Sequence, residues 1–286
     1  MKSYCKKIVS FILLVNLIVI NIMCTNIYAE SSNVYASTEK ELYQYVNEFM
    51  KGNYKDLTIH MPKNEFKVDE YKEGICTHNT IEDVLSPLHL DTSGDYNKEY
   101  CTYRLYYYLD NGQIRTKALE NKSNQIIKEI IKPDMTDNQK ITAITEYINN
   151  HCIYVRDEYY EFVNDLHNNT LSSFELSKKY HYLFSAYGVL CMGKSTCDGY
   201  SRAFNLLARK VGIPSIQVMR PGHAFNVYKI GDNYYEIDTT RKETEGRLIT
   251  GEPNFKEKYI YKDLFKYVVL GTNNITMTPY NPYEYE

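Results

Sequence analysis

Tryptophan is absent from this 286-residue sequence, which carries 30 tyrosines instead. A tyrosine ring is apolar while its hydroxyl stays wet, so such a load can line a polypeptide-binding groove, and it equally fits plain composition. Dense basic runs are missing as well, and the formal net charge is -3, which argues against nucleic acid as a partner. The seven cysteines never fall in a CxxC pair, so neither a structural zinc site nor a disulfide oxidoreductase is expected. No EF-hand-like or clustered acidic loop occurs, and no metal or cofactor is implied. After the first segment, no apolar run is long enough to cross a bilayer.

What is present is an ordinary globular composition, 43% hydrophobic and 24% charged, of a size for one large domain or two small ones. Lys2, Lys6 and Lys7 precede the apolar run IVSFILLVNLIVINIMC, and Ile27-Tyr28-Ala29 offers a small residue before a cut at Glu30. Residues 1–29 therefore read as a cleaved signal peptide, which makes the mature protein secreted, soluble and without stable membrane insertion. Removing it takes Cys5 and Cys24 and leaves Cys76, Cys101, Cys152, Cys191 and Cys197. That odd number flags one unpaired or reactive thiol. Two disulfides among the first four would leave Cys197 free, although the sequence fixes no pairing.

Residues 30–120 read as an N-terminal α/β accessory region with nothing catalytic in it. Thr38 with Glu41 is a capping-box pattern, and Leu42, Tyr43, Val46 and Phe49 give a helical apolar side ending at Gly52. Residues 54–61 and 100–109 have strand character, residues 81–85 suit a short helix, and a turn falls at Gly94-Asp95. Asp110-Asn111-Gly112 reads as a hairpin turn into a strand over 113–118. His60, His78 and His89 are scattered without metal-ligand rhythm. Helical spacing returns over 123–131 and again after Thr136, where Gln139 completes a capping box ahead of Ile141, Ile144, Tyr147 and Ile148. Residues 152–155 look extended, and a tyrosine-rich stretch follows in which Tyr180, Tyr182 and Tyr187 are candidate substrate neighbours. The catalytic domain is assigned to 121–274, with 255–270 leading into a final strand. Residues 275–286 form a C-terminal tail.

The chemistry concentrates in GKSTCDGYSRAFNLLARKVGIPSIQVMRPGHAFNVYKIGDNYYEIDTT, residues 193–240. Ser195 or Thr196 can cap a helix that starts at Cys197 and ends at Gly212-Ile213-Pro214. A thiol in a first helical turn sits beside unsatisfied N–H groups and the positive helix end, which favour thiolate and can stabilise an oxyanion. Gly199 would leave that approach uncrowded. His223 opens the alternating strand HAFNVYKI, and the turn at Gly231-Asp232-Asn233 returns the chain through YYEID. Hairpin pairing brings Asp238 back beside His223, where its carboxylate can accept an imidazole N–H and fix the tautomer.

STCDGYSRAFNLLARKVGIP followed by GHAFNVYKIGDNYYEIDTT resembles the transglutaminase-like superfamily, whose pattern runs Cys-x-Gly-Tyr, a helix to Gly-Ile, His-Ala-aromatic-Asn, and Tyr-x-x-Asp-x-Thr. The upstream IIKPDMTDNQKITAITEYINNHCIYV is similar to the helix and extended segment before bacterial domains of this type, so the resemblance covers about residues 120–270. It implies an α+β, papain-like core in which the nucleophile helix packs on an antiparallel sheet. It also implies a catalytic triad of Cys197, His223 and Asp238. Arg241 departs from the tryptophan common after the Thr, and 156–182 is a long insertion. The implied function is cysteine-dependent acyl transfer on protein or peptide amides, foremost as a peptidase or amidohydrolase. Cross-linking or deamidating transglutaminase activity is one alternative, and a non-catalytic extracellular binding module is another. The implied partner is a protein or peptide substrate, extracellular or in the cell wall.

Overall fold

A computed structural model describes residues 32–65, 88–89, 99–107, 111–220, 222–249 and 276–277. The signal segment 1–29, Cys76, His78, the helix over 81–85, the turn at Gly94-Asp95, the segment 255–270 and most of the tail lie outside the described residues.

The N-terminal part is one helix on a small mixed sheet. Strand β1 (Ser32–Tyr35) lies parallel to β2 (Asp56–Pro62), which pairs antiparallel with β4 (Tyr100–Tyr106), and β3 (Leu88–His89) forms the far edge. Helix α1 (Glu39–Met50) buries Leu42, Val46 and Phe49 against Leu57, Ile59, Met61, Tyr103 and Leu105, the alternate residues of β2 and β4. Its start follows the sequence: Thr38 Oγ1 accepts the Glu41 N–H, and Glu41 Oε2 accepts the Ser37 N–H.

The hairpin expected at Asp110-Asn111-Gly112 does not form. Gly112 instead opens helix α2 (Gly112–Ile130), which takes in residues 113–118 as well as 123–130. The glycine answers a different need, because a Cβ there would lie 2.7 Å from the Tyr107 ring. Helix α3 (Asp137–His151) carries the capping box read from Thr136 and Gln139 and buries Ile141, Ile144, Tyr147 and Ile148.

A short strand β5 (Ile153–Tyr154) then pairs in parallel with β6 (Lys194–Ser195). Between them lie α4 (Arg156–His167), α5 (Ser173–Tyr180), a 3-10 turn over His181–Phe184 and α6 (Ala186–Leu190). Helix α7 (Cys197–Lys210) follows at once and packs Ala203, Phe204, Leu207 and Ala208 among Ile144, Ile148, Val189, Tyr228 and Ile237. Burial of Phe204 and Leu207 contributes about 1.5–3 kcal/mol each.

Behind α7 stands an antiparallel five-stranded sheet in the order β10 (Arg247–Leu248), β9 (Asn233–Ile237), β8 (His223–Ile230), β7 (Ser215–Arg220), β11 (Thr276–Met277). The chain is thus α+β, with helices packed on antiparallel and mixed sheets. Asn226, fully buried on β8, ties sheet to helix by donating to the Ser201 carbonyl and to Asn205 Oδ1, each at 2.9 Å. Among the described residues no helix is long and apolar enough to cross a membrane.

Candidate active site

Each of the three residues singled out in the sequence stands at the end of an element. Cys197 is the first residue of α7, His223 the first of β8, and Asp238 follows the last residue of β9. The β8–β9 register sets Asn226 opposite Ile237, so the hairpin's open end brings His223 and Asp238 together. His223 Nε2 lies 2.6 Å from Asp238 Oδ2. The Asp238 side chain is 6% exposed and that of His223 is 21% exposed.

The electrostatics follow from these contacts. Hydrogen bonding to Asp238 and then the nearness of Cys197, with the charges of both, outweigh burial and raise the His223 ring to about 9. Burial alone would push the Asp238 carboxyl up. Hydrogen bonds from His223 and Thr240 and the histidine's charge prevail and hold it below the ordinary range. Asp238 Oδ1 accepts the Thr240 N–H at 3.1 Å and its hydroxyl at 2.6 Å, while the Asp238 N–H donates to Glu243 Oε2 at 2.8 Å. Arg241 Nε comes within 3.0 Å of Oδ2.

Cys197 is half-buried and stands near enough to His223 to bear on the ring's proton affinity. It also meets a residue that the sequence did not single out. The Tyr154 hydroxyl, on β5, lies against Cys197, near enough to its thiol and backbone N–H to feel both. Burial, the adjacent Cys197 charge and the nearness of its sulfur raise that phenol to about 12. The only sequence signal was that 152–155 is extended and lies upstream of the cysteine.

Two local expectations are corrected. Neither Ser195 nor Thr196 caps α7 with its side chain. Thr196 is the N-cap residue, but its hydroxyl donates to the Leu183 carbonyl at 2.5 Å, and that of Ser195 donates to the carbonyls of Tyr182 and Leu183. The hydroxyls thus bind the 3-10 turn to the helix start. Gly199 is buried in that same joint and does not border a substrate path. A Cβ there would lie 2.7 Å from the Ser185 carbonyl.

Of the tyrosines proposed as substrate neighbours, Tyr187 packs against the apolar cluster around α7, while the other two tie the inserted helices. Tyr180 is buried and donates to Asp165 at 2.6 Å, and Tyr182 donates to Glu158, which also pairs with Lys194 at 3.0 Å. Among the described residues Cys101, Cys152 and Cys197 carry no disulfide, and Cys76 lies outside them. Among the described residues no group of three or more His, Cys, Asp or Glu could hold a metal ion.

Residues 124–238 match the family model of the transglutaminase-like superfamily. Among solved structures, one described as a TGase aligns at 16% identity and a TM-score of 0.37, over 85% of this chain and 65% of its own. A candidate cysteine protease from Cytophaga hutchinsonii aligns at 19% identity and 0.30, over 46% of this chain and 41% of its own. A candidate protease from Parabacteroides distasonis ATCC 8503 aligns at 11% and 0.27, over 68% and 44%. The chain therefore spans about two thirds of the first of these and less than half of the other two. No curated protein sequence matches it.

Proposed function

We propose that this protein is a secreted cysteine-dependent acyl-transfer enzyme with a papain-like core, acting on protein or peptide amides through Cys197, His223 and Asp238. The observation that carries the reading is one arrangement: a first-turn thiol beside an imidazole whose Nε2 lies 2.6 Å from a buried carboxylate. Export rests on the sequence of residues 1–29.

In this reading the Cys197 thiolate attacks the carbonyl carbon of a glutamine side chain or a peptide bond. The Cys197 backbone N–H, at the helix start, and the nearby Tyr154 hydroxyl are the donors offered to the negative charge that develops on the carbonyl oxygen. His223, held in orientation by Asp238, gives its proton to the leaving nitrogen, which departs as ammonia or an amine and leaves a thioester. The ring then takes a proton from the acceptor, which releases the acid or a new amide and restores the thiol. Hydrolysis is the favoured outcome because both His223 and Tyr154 are open to water, the latter 41% exposed. A lysine amine in place of water gives cross-linking from the same intermediate.

Glutamine-containing peptides, incubated with and without a primary amine and read by mass at single-dalton resolution, separate deamidation, cleavage and cross-linking. Cys197→Ala should abolish all three. Failure to trap any acyl group on Cys197 would contradict the enzyme reading. Binding that survives Cys197→Ala, with no chemistry in the parent, would support a binding module.

A further inference from the structure

Asp238 serves two cationic groups through one oxygen. Oδ2 lies 2.6 Å from His223 Nε2 and 3.0 Å from Arg241 Nε, while Oδ1 is taken by Thr240. The imidazole reaches the carboxylate from the buried side. The guanidinium comes from solvent, its side chain 62% exposed against 6% for Asp238. The approach is fixed by the backbone: Thr239–Arg241 form a 3-10 turn in which the Arg241 N–H donates to the Asp238 carbonyl at 3.1 Å. A second cation on the same oxygen weakens the field that favours the imidazolium and adds like-charge repulsion to it.

Other described residues also stand near the ring. Cys197 faces it from α7, and Glu243 holds the Asp238 N–H on the far side of the turn. Phe225 stacks beside it on the same strand, and Arg220 is its register partner on β7. Arg241 is the charged side chain that shares its acceptor oxygen.

Resting on the reading of Cys197, His223 and Asp238 as a reactive triad, we infer that Arg241 is a positioning residue acting through Asp238. It pins Oδ2 and limits the proton affinity of His223, which sets the upper pH boundary of the thiolate–imidazolium pair. Arg241 stands where the family resemblance leads one to expect tryptophan, so the trait belongs to this chain's own sequence.

The test is the titration of the His223 ring by NMR in histidine-labelled protein carrying Cys197→Ala, so that the ring titrates apart from the thiol. Arg241→Gln should raise the midpoint by about half a pH unit at low ionic strength, the size expected of an exposed charge pair. Arg241→Lys, which keeps the charge, should restore part of the lower value. Added salt should narrow the gap between parent and Gln variant, because the guanidinium is exposed. Coinciding midpoints for the Gln variant and its parent at low salt would overturn the inference. The triad itself is tested separately by the pH dependence of Cys197 alkylation, mapped by mass, with and without His223→Ala. An unchanged profile there would defeat the triad reading while leaving the effect of Arg241 on the ring measurable.

Discussion

Near neutral pH the His223 ring keeps a proton in the folded chain that it would largely lose when unfolded, since its folded value is about 9 against an ordinary 6.5. The sign of the stability effect follows. A raised folded-state value stabilises fully below pH 6.5, and that contribution fades as pH climbs through 9. His223→Gln should therefore lower the melting temperature most at pH 6 and progressively less toward pH 9.5, a trend that calorimetry can follow. Asp238, held below the ordinary carboxylate range, behaves oppositely: its contribution is present above about pH 4 and lost on acidification beneath that. Tyr154 makes a kinetic prediction. Tyr154→Phe removes the hydroxyl at the Cys197 N–H and should reduce kcat about a hundredfold with little change in melting temperature, the scale of losing one oxyanion donor. Equal kcat in the two proteins would exclude that role. Cys197, His223 and Asp238 were legible in the sequence because each adjoins a local marker: the helix start, Pro221-Gly222 and the hairpin end. Tyr154 had no such marker. Its place beside Cys197 depends on the β5–β6 pairing, which closes over the whole 156–193 stretch and leaves no periodic trace.

At the scale of elements, α7 is held at its start by side chains directed backward onto the 3-10 turn, and Gly199 makes that closeness feasible. Gly199→Ala would set a methyl group 2.7 Å from the Ser185 carbonyl, where backbone must yield. Overpacking of this kind costs about 1–3 kcal/mol, so the variant should melt several degrees lower and lose activity out of proportion as the thiol shifts. Unaltered melting and activity would show that the joint has slack. The α3 capping box and the β8–β9 hairpin were readable because local residues alone specify them. The glycine turn at Asn111-Gly112 misled for the converse reason: tertiary contact with Tyr107, remote from any turn rule, decided what the glycine was for. The inserted helices are set by a small apolar cluster of Leu176, Tyr180 and Leu183 and by polar ties, with Glu158 joined to Lys194 and Tyr182, and Asp165 joined to Lys179 and Tyr180. None of the residues of α4 is buried, which is why hydrophobic spacing announced it only faintly.

Among the described residues a small apolar cluster of Leu176, Tyr180 and Leu183 joins the inserted helices, and two larger ones stand apart, the first around α1 and the N-terminal sheet and the second around α7. Helix α2 enters the second and is tied to the residues that follow α1. Near its start, Gln113 donates to the Gly52 carbonyl and Lys117 to Asn53, while Leu119 and Ile126 enter the second cluster. A chain cut to begin at 112 should keep a cooperative unfolding transition. One begun at 121 loses Leu119 and should be less stable by about 2–5 kcal/mol, as denaturant titration would measure. Equal stability of the two would mean that the first turns of α2 belong to the N-terminal unit alone. The placement of Cys197, His223 and Asp238 at the tips of their elements has a consequence for descent. Apart from Gly199 and the buried Asn205–Asn226 tie, the interiors of α7, β8 and β9 need only fill the right volume with apolar groups, so their sequences can drift far while the three tips stay in place. A saturation library across 193–240 should then show sharp intolerance at the tips and broad exchange among aliphatic residues between them.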